Sequence, residues 1–177
     1  MLLSVGCGGQ GSASRPTAAT RADFPPYQGH ATRLFDDLID ANAVGLADVV
    51  SKPHTDPVLR ARVQAAEAVA RVRVATVTVD SAGGKPIYRL SLALGGGWIV
   101  RRGFSDDHVE VSIRSDSPAF GVVKWLDTRL IGRTFMGFFR RYAGTEDIEL
   151  RFHLSADSPD VHAAVREAAA LSEVSGK

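Results

Sequence analysis

Apolar positions along the chain recur with two different periods. Within residues 30–50, Leu34, Phe35, Leu38, Ile39, Ala43 and Leu46 fall at spacings of three and four, the stripe of an amphipathic helix. Arg33, Asp36, Asp37 and Asp40 take its polar side. After the loop SKPHTDP, Asp56 is suited to cap a second helix and Pro57 to open it. Val58, Leu59, Val63, Ala66 and Val69 carry that stripe to about residue 70. The period then drops to two. VRVATVTVD (72–80) and PIYRLSLAL (86–94) alternate around the turn SAGG and predict a hairpin, with Tyr88, Leu90, Leu92 and Leu94 on one face.

Three glycines at 95–97 should break or bend the ladder, and 98–102 then resumes as a third strand. In the fourth, HVEVSIR (108–114), Val109, Val111 and Ile113 alternate with His108, Glu110, Ser112 and Arg114. Residues 117–132 fit a short helix with an irregular continuation. RTFMGFFRRYA (133–143) and IELRFHL (148–154) form a second hairpin, Ile148, Leu150, Phe152 and Leu154 sharing a face. A last helix opens at Ser158 and Pro159 and buries Val161, Ala164, Val165, Ala168 and Leu171. This order predicts an α+β fold: a mainly antiparallel sheet of five or six strands, with N-terminal helices and a C-terminal helix packed on one face.

Residues 7–27 depart from both periods. CGGQGSASRPTAATRADFPPY is rich in Gly, Ser, Ala, Thr and Pro, the composition of a flexible tether spanning about 25 Å. The 28–177 remainder is long enough for one domain and too short for two. Directly before the tether, Leu3, Ser4, Val5, Gly6 and Cys7 resemble the lipobox of bacterial lipoproteins, although the family's usual leucine stands one place nearer the cysteine. The resemblance implies cleavage before Cys7, a diacylglycerol on its thiol, and residues 1–6 as the remnant of a signal segment. A signal peptide carries about 7–15 apolar residues after a basic start, so the resemblance also implies coding sequence upstream of Met1.

Charge narrows the partners. Twenty-one Lys and Arg against 20 Asp and Glu leave a net charge of +1, too little field to expect a nucleic acid. A single cysteine excludes an internal disulfide and a cysteine-based zinc site. The five histidines contain no H-x-x-x-H pair, and no phosphate-binding glycine motif or G-x-S-x-G elbow occurs. Neither a metal nor a cofactor is therefore expected. Ser105, Asp106, Asp107 and His108 are the densest candidates for acid–base chemistry, but a turn rich in Asp is the commoner explanation of such a run.

The segment 124–142 interleaves Lys124, Arg129, Arg133, Arg140 and Arg141 with Trp125, Phe135, Phe138, Phe139 and Tyr142. Trp125, Arg129, Arg133, Phe138, Phe139, Arg140 and Arg141 are the candidate contacts for a ligand or partner. Phe138 and Phe139 are neighbours on a strand, so one ring must leave the main core and needs a cover, from 117–131 or from a partner. The combined expectation is a lipid-anchored cell-envelope protein that binds another envelope protein or a small apolar ligand without catalysis. Two alternatives stand beside it: a cytosolic regulatory or scaffold module, and an enzyme with a dispersed site at 105–108.

Overall fold

The computed structural model describes residues 19–47, 52–104 and 108–175. Six strands, β1 (Leu38–Ile39), β2 (Ala68–Ala82), β3 (Lys85–Arg101), β4 (His108–Ile113), β5 (Thr134–Ala143) and β6 (Ile148–Ala156), form one sheet. Their order is β1-β6-β5-β2-β3-β4. The ladders are antiparallel apart from the short β1–β6 pairing. Helices α1 (Ala31–Leu34), α2 (Pro57–Ala65) and α4 (Pro159–Ser175) cover one face. Leu34, Leu59, Val63, Val161 and Val165 from these helices pack there on Val69, Met136 and Phe138. This is the expected α+β arrangement. Among the described residues, no helix is long and apolar enough to cross a membrane.

The other face curls around a second core. Val109, Val111 and Ile113 of β4 join one cluster with Phe152 and Leu154 of β6, although β4 and β6 are far apart in strand order. Helix α3 (Phe120–Leu126) and the 3-10 turn Asp127–Leu130 fill the curl with Val123, Leu126 and Leu130. The 117–132 segment is therefore the short helix with an irregular continuation that its pattern suggests. It also covers the second ring of the Phe138–Phe139 pair: Phe138 packs under the three helices, Phe139 inside the curl, and both are fully buried.

Four local expectations are overturned, each by a tertiary contact. The helix expected over 30–50 is confined to α1; Leu38 and Ile39 instead pair in parallel with His153 and Leu154, and the 3-10 turn Ala41–Val44 follows. The second helix opens as expected, with the Asp56 carboxylate accepting from Val58 N at 2.8 Å and Pro57 first. It ends at Ala65 rather than near 70, because Ala68, Val69 and Ala70 gain ladders on both sides, from β3 and β5. The separate strand over 98–102 is the continuation of β3. Ala70 faces Trp98 and Val72 faces Leu94, so the three glycines stand opposite Arg71 alone and bulge without ending the strand. Leu171 is 47% exposed, and Ala169 takes the place on the buried stripe expected of it.

Asp37 ties these pieces together. It sits at φ 51, a left-handed conformation that Asp tolerates better than most residues, and there the chain turns from α1 into β1. Its backbone N–H donates to Phe152 O at 2.9 Å, and its carbonyl accepts from Ala119 N and Ser117 Oγ, both at 3.1 Å. Its carboxylate accepts from Phe152 N at 3.2 Å and from Arg151 Nη1 at 2.5 Å. Arg151 also bonds Glu149, which meets Arg114 at 3.3 Å, so this network closes the seam between β4 and β6. Burial pushes the Asp37 carboxyl up, opposed by Arg151 and the Phe152 amide.

Replacing Asp37 by alanine leaves the Arg151 guanidinium without its buried partner and should cost about 3 kcal/mol of unfolding free energy, read as a lower urea midpoint. At Gly137 an added Cβ would lie 2.6 Å from the Phe139 ring and 3.2 Å from Val72 Cγ2. Gly137→Ala should therefore cost about 1–3 kcal/mol by overpacking, with an unchanged denaturant slope.

Candidate functional site

The aromatic and basic residues of 124–142 do not form one surface. Trp125 is 56% exposed at the end of α3, with the Arg129 guanidinium 4.6 Å from its ring centroid. Arg129 donates to the Trp125 and Leu126 carbonyls, and Arg133 Nε donates to Arg129 O at 3.3 Å. These three residues, with exposed Ile131 and Lys124, make a compact basic and apolar face. The remaining four candidates lie elsewhere. Phe138 and Phe139 are core residues on opposite faces of β5 and touch no solvent. Arg140 donates to Ala65 O at 2.8 Å on the helical side. Arg141 donates to Glu67 at 2.7 Å and Gly103 O at 2.9 Å, between the rings of Phe24 and Phe104. The period of two along β5 separates them.

Cys7 and Ser105, Asp106 and Asp107 lie outside the described residues. His108 opens β4 and is exposed.

Two open spaces are lined by clusters of charged groups. One, of about 330 Å³, runs along the β4–β6 seam and is lined by Arg89, Glu110, Arg114, Glu149 and Arg151. These charges are spent on one another or on Asp37 and Asp80. The other, of about 420 Å³, lies between the β1 segment and the starts of α2 and α4. Its floor is His153 and Ser155, two residues apart on the helical face of β6, and Arg62 of α2 forms a wall. Asp40, Asp56 and Asp160 stand around it.

His153 is 7% exposed, and its Nδ1 lies 2.8 Å from an Asp36 carboxylate oxygen. Burial lowers its pKa, with Asp36 and Asp40 opposing and Arg62 reinforcing the shift. A neutral ring donating Nδ1–H to Asp36 leaves Nε2 as an acceptor. Arg62 is 6% exposed and gives its Nε to Leu34 O at 2.6 Å, with the guanidinium 5.6 Å from the Phe138 ring centroid. Burial pulls its pKa down while Asp36, Asp56 and Asp40 pull it up. No carboxylate of the described residues lies within ion-pair distance of it.

Sequence reading missed this cleft for a definite reason. The pattern groups Ile148, Leu150, Phe152 and Leu154 on one face of the strand and assigns nothing to the residues between them. The helices predicted for one sheet face had to rest on some residues, and His153 lies beneath them. Among the described residues, no group of three His, Cys, Asp or Glu side chains is arranged to hold a metal ion.

The folded chain keeps His153 neutral over a range in which the unfolded chain protonates it. Its stability contribution is therefore complete above about pH 6.5 and declines as pH falls, by up to about 1.4 kcal/mol per pH unit. His153→Asn retains an N–H for Asp36 and cannot titrate. The stability difference between wild type and this variant, measured by urea unfolding, should be flat above about pH 7 and shrink toward about pH 5. No family model, no curated protein and no solved structure matches the chain.

Proposed function

We propose that this chain is a bacterial cell-envelope protein, fixed to a membrane by a diacylglycerol on Cys7, whose domain binds another envelope protein through the face around Trp125, Arg129 and Arg133. The observation that carries this reading is the polarity of the domain along β5. The incoming chain is fastened at the far end of that strand, where Ala143 N donates to Pro25 O at 2.9 Å and Pro26 bridges Ala143. Arg133 immediately precedes the strand's first residue, Thr134, at the other end. Ten residues of strand put about 30 Å between the two ends. A domain held at the Ala143 end turns the Trp125 face away from its own membrane.

The chemistry of that face suits a protein. Lys124, Arg129 and Arg133 have no carboxylate within ion-pair distance among the described residues, whereas Arg71, Arg89, Arg114, Arg141 and Arg151 are all paired. Exposed Trp and Arg side by side have the composition of an interface centre. An acidic surface bearing an apolar spot is the complementary partner.

Metabolic labelling with an alkyne fatty acid, on the gene expressed with its upstream sequence, should mark the wild type and not Cys7→Ala, and the variant should leave the membrane fraction. An unlabelled wild type would dispose of the anchor. A photo-crosslinking residue at 125 should trap a partner in cells, while one at the equally exposed Val79 should not. Arg129→Glu with Arg133→Glu should abolish the adduct while changing stability by about 0.5 kcal/mol or less each. Equal adducts at both positions would remove the docking face.

A further inference from the structure

We propose that the cleft between β1, α2 and α4 binds a small zwitterion of the amino-acid or dipeptide class, with its carboxylate on Arg62 and Ser155 and its ammonium facing Asp40, Asp160 and His153 Nε2. Nothing in this rests on the lipid anchor or on the Trp125 face.

Arg62 is the first reason. Among the described residues, this buried guanidinium is committed through Nε to the Leu34 carbonyl and through its plane to Phe138. Its Nη atoms make no hydrogen bond to a described residue, and Arg62 lines the cleft. A guanidinium so desolvated gains most from an oxyanion that accepts from both Nη atoms. Ser155 is the second reason. It is 8% exposed, lines the floor, and its hydroxyl has no hydrogen-bond partner among the described residues. That hydroxyl opens to the cleft, where it can donate to a ligand oxygen beside Arg62. Ser155 and His153 are not hydrogen-bonded to each other, so the pair lacks the contact that defines a nucleophile with its base.

The opposite charge comes from the rim. The Asp40 carboxylate accepts from Asn42 N through one oxygen, at 3.0 Å, and the other accepts from no described residue. Asp160 is exposed in the first turn of α4 and makes no ion pair among the described residues. His153, neutral and held by Asp36, adds an acceptor on the same floor. A simple anion would meet Arg62 but also face these carboxylates, and a simple cation would meet them but face Arg62. A molecule carrying both charges a few bonds apart matches the two sides at once. About 420 Å³ is within the usual size range of a small-molecule site.

The test uses the purified chain with alanine, lysine, glutamate and glycylglycine as probes, and acetate and methylammonium as single-charge controls. At least one zwitterion should raise the thermal midpoint by about 5 °C at hundredfold excess over its Kd, and neither control should. Titration calorimetry should show Ser155→Ala binding about fivefold more weakly and Asp160→Asn about threefold more weakly. Arg62→Gln should lose binding altogether; because Arg62 is buried and this variant can unfold, the two rim and floor variants carry the decision. The proposal is overturned if no zwitterion shifts the midpoint, if acetate or methylammonium shifts it as far, or if Ser155→Ala and Asp160→Asn both bind as the wild type does.

Discussion

The position of Asp37 constrains more of this fold than any other single residue. One carboxylate and two backbone groups bind the middle of β6, the loop before α3 and the Arg151 guanidinium. Both cores depend on that knot. The turn at Asp37 leaves α1 beside α2 on the helical face and sends Leu38 and Ile39 to the edge of β6. The Ala119 bond starts α3 on its course into the curl. A buried ion pair by itself is weak support for stability, since desolvation offsets most of the attraction. Here the partner geometry matters more than the charge, because the same residue supplies the backbone contacts that join distant segments.

Much of the fold was legible because two periods are written strongly into the chain. The alternation of Val109, Val111 and Ile113 fixed a strand and its inward face, and Asp56 with Pro57 fixed a helix start. Failures came where local pattern and tertiary pairing disagreed. Leu34, Phe35, Leu38 and Ile39 satisfy helical spacing, but the last two satisfy strand pairing as well, and β6 offers Leu38 and Ile39 hydrogen bonds that a helix there would forgo. Near Ala68 the same competition favoured the sheet, since a strand flanked on both sides satisfies its backbone and buries small side chains together.

The functional residues were less legible than the fold. Trp125 and Arg129 stood out by type, and they stack on each other at the surface. Phe138 and Phe139 stood out equally, yet they are core, because a sheet covered on both faces needs large side chains on each. His153, Arg62 and Ser155 carry no motif at all. Arg62 lies on an amphipathic helix among apolar neighbours, and its significance comes from the Leu34 carbonyl and the Phe138 ring, residues 28 and 76 positions away in a direct count along the sequence.

The fastening at Ala143 has a mechanical consequence. Residues 19–27 lie against the end of β5 through the Pro25 bond, the Pro26 bridge, the Phe24–Arg141 stack and, last, the Tyr27 hydroxyl on Phe35 O. Tension applied from the N-terminal side meets these contacts one after another, in the peeling geometry that resists force least. Such a pull would unfasten residues 19–27 before it reached the Tyr142 ring and the ladders behind it.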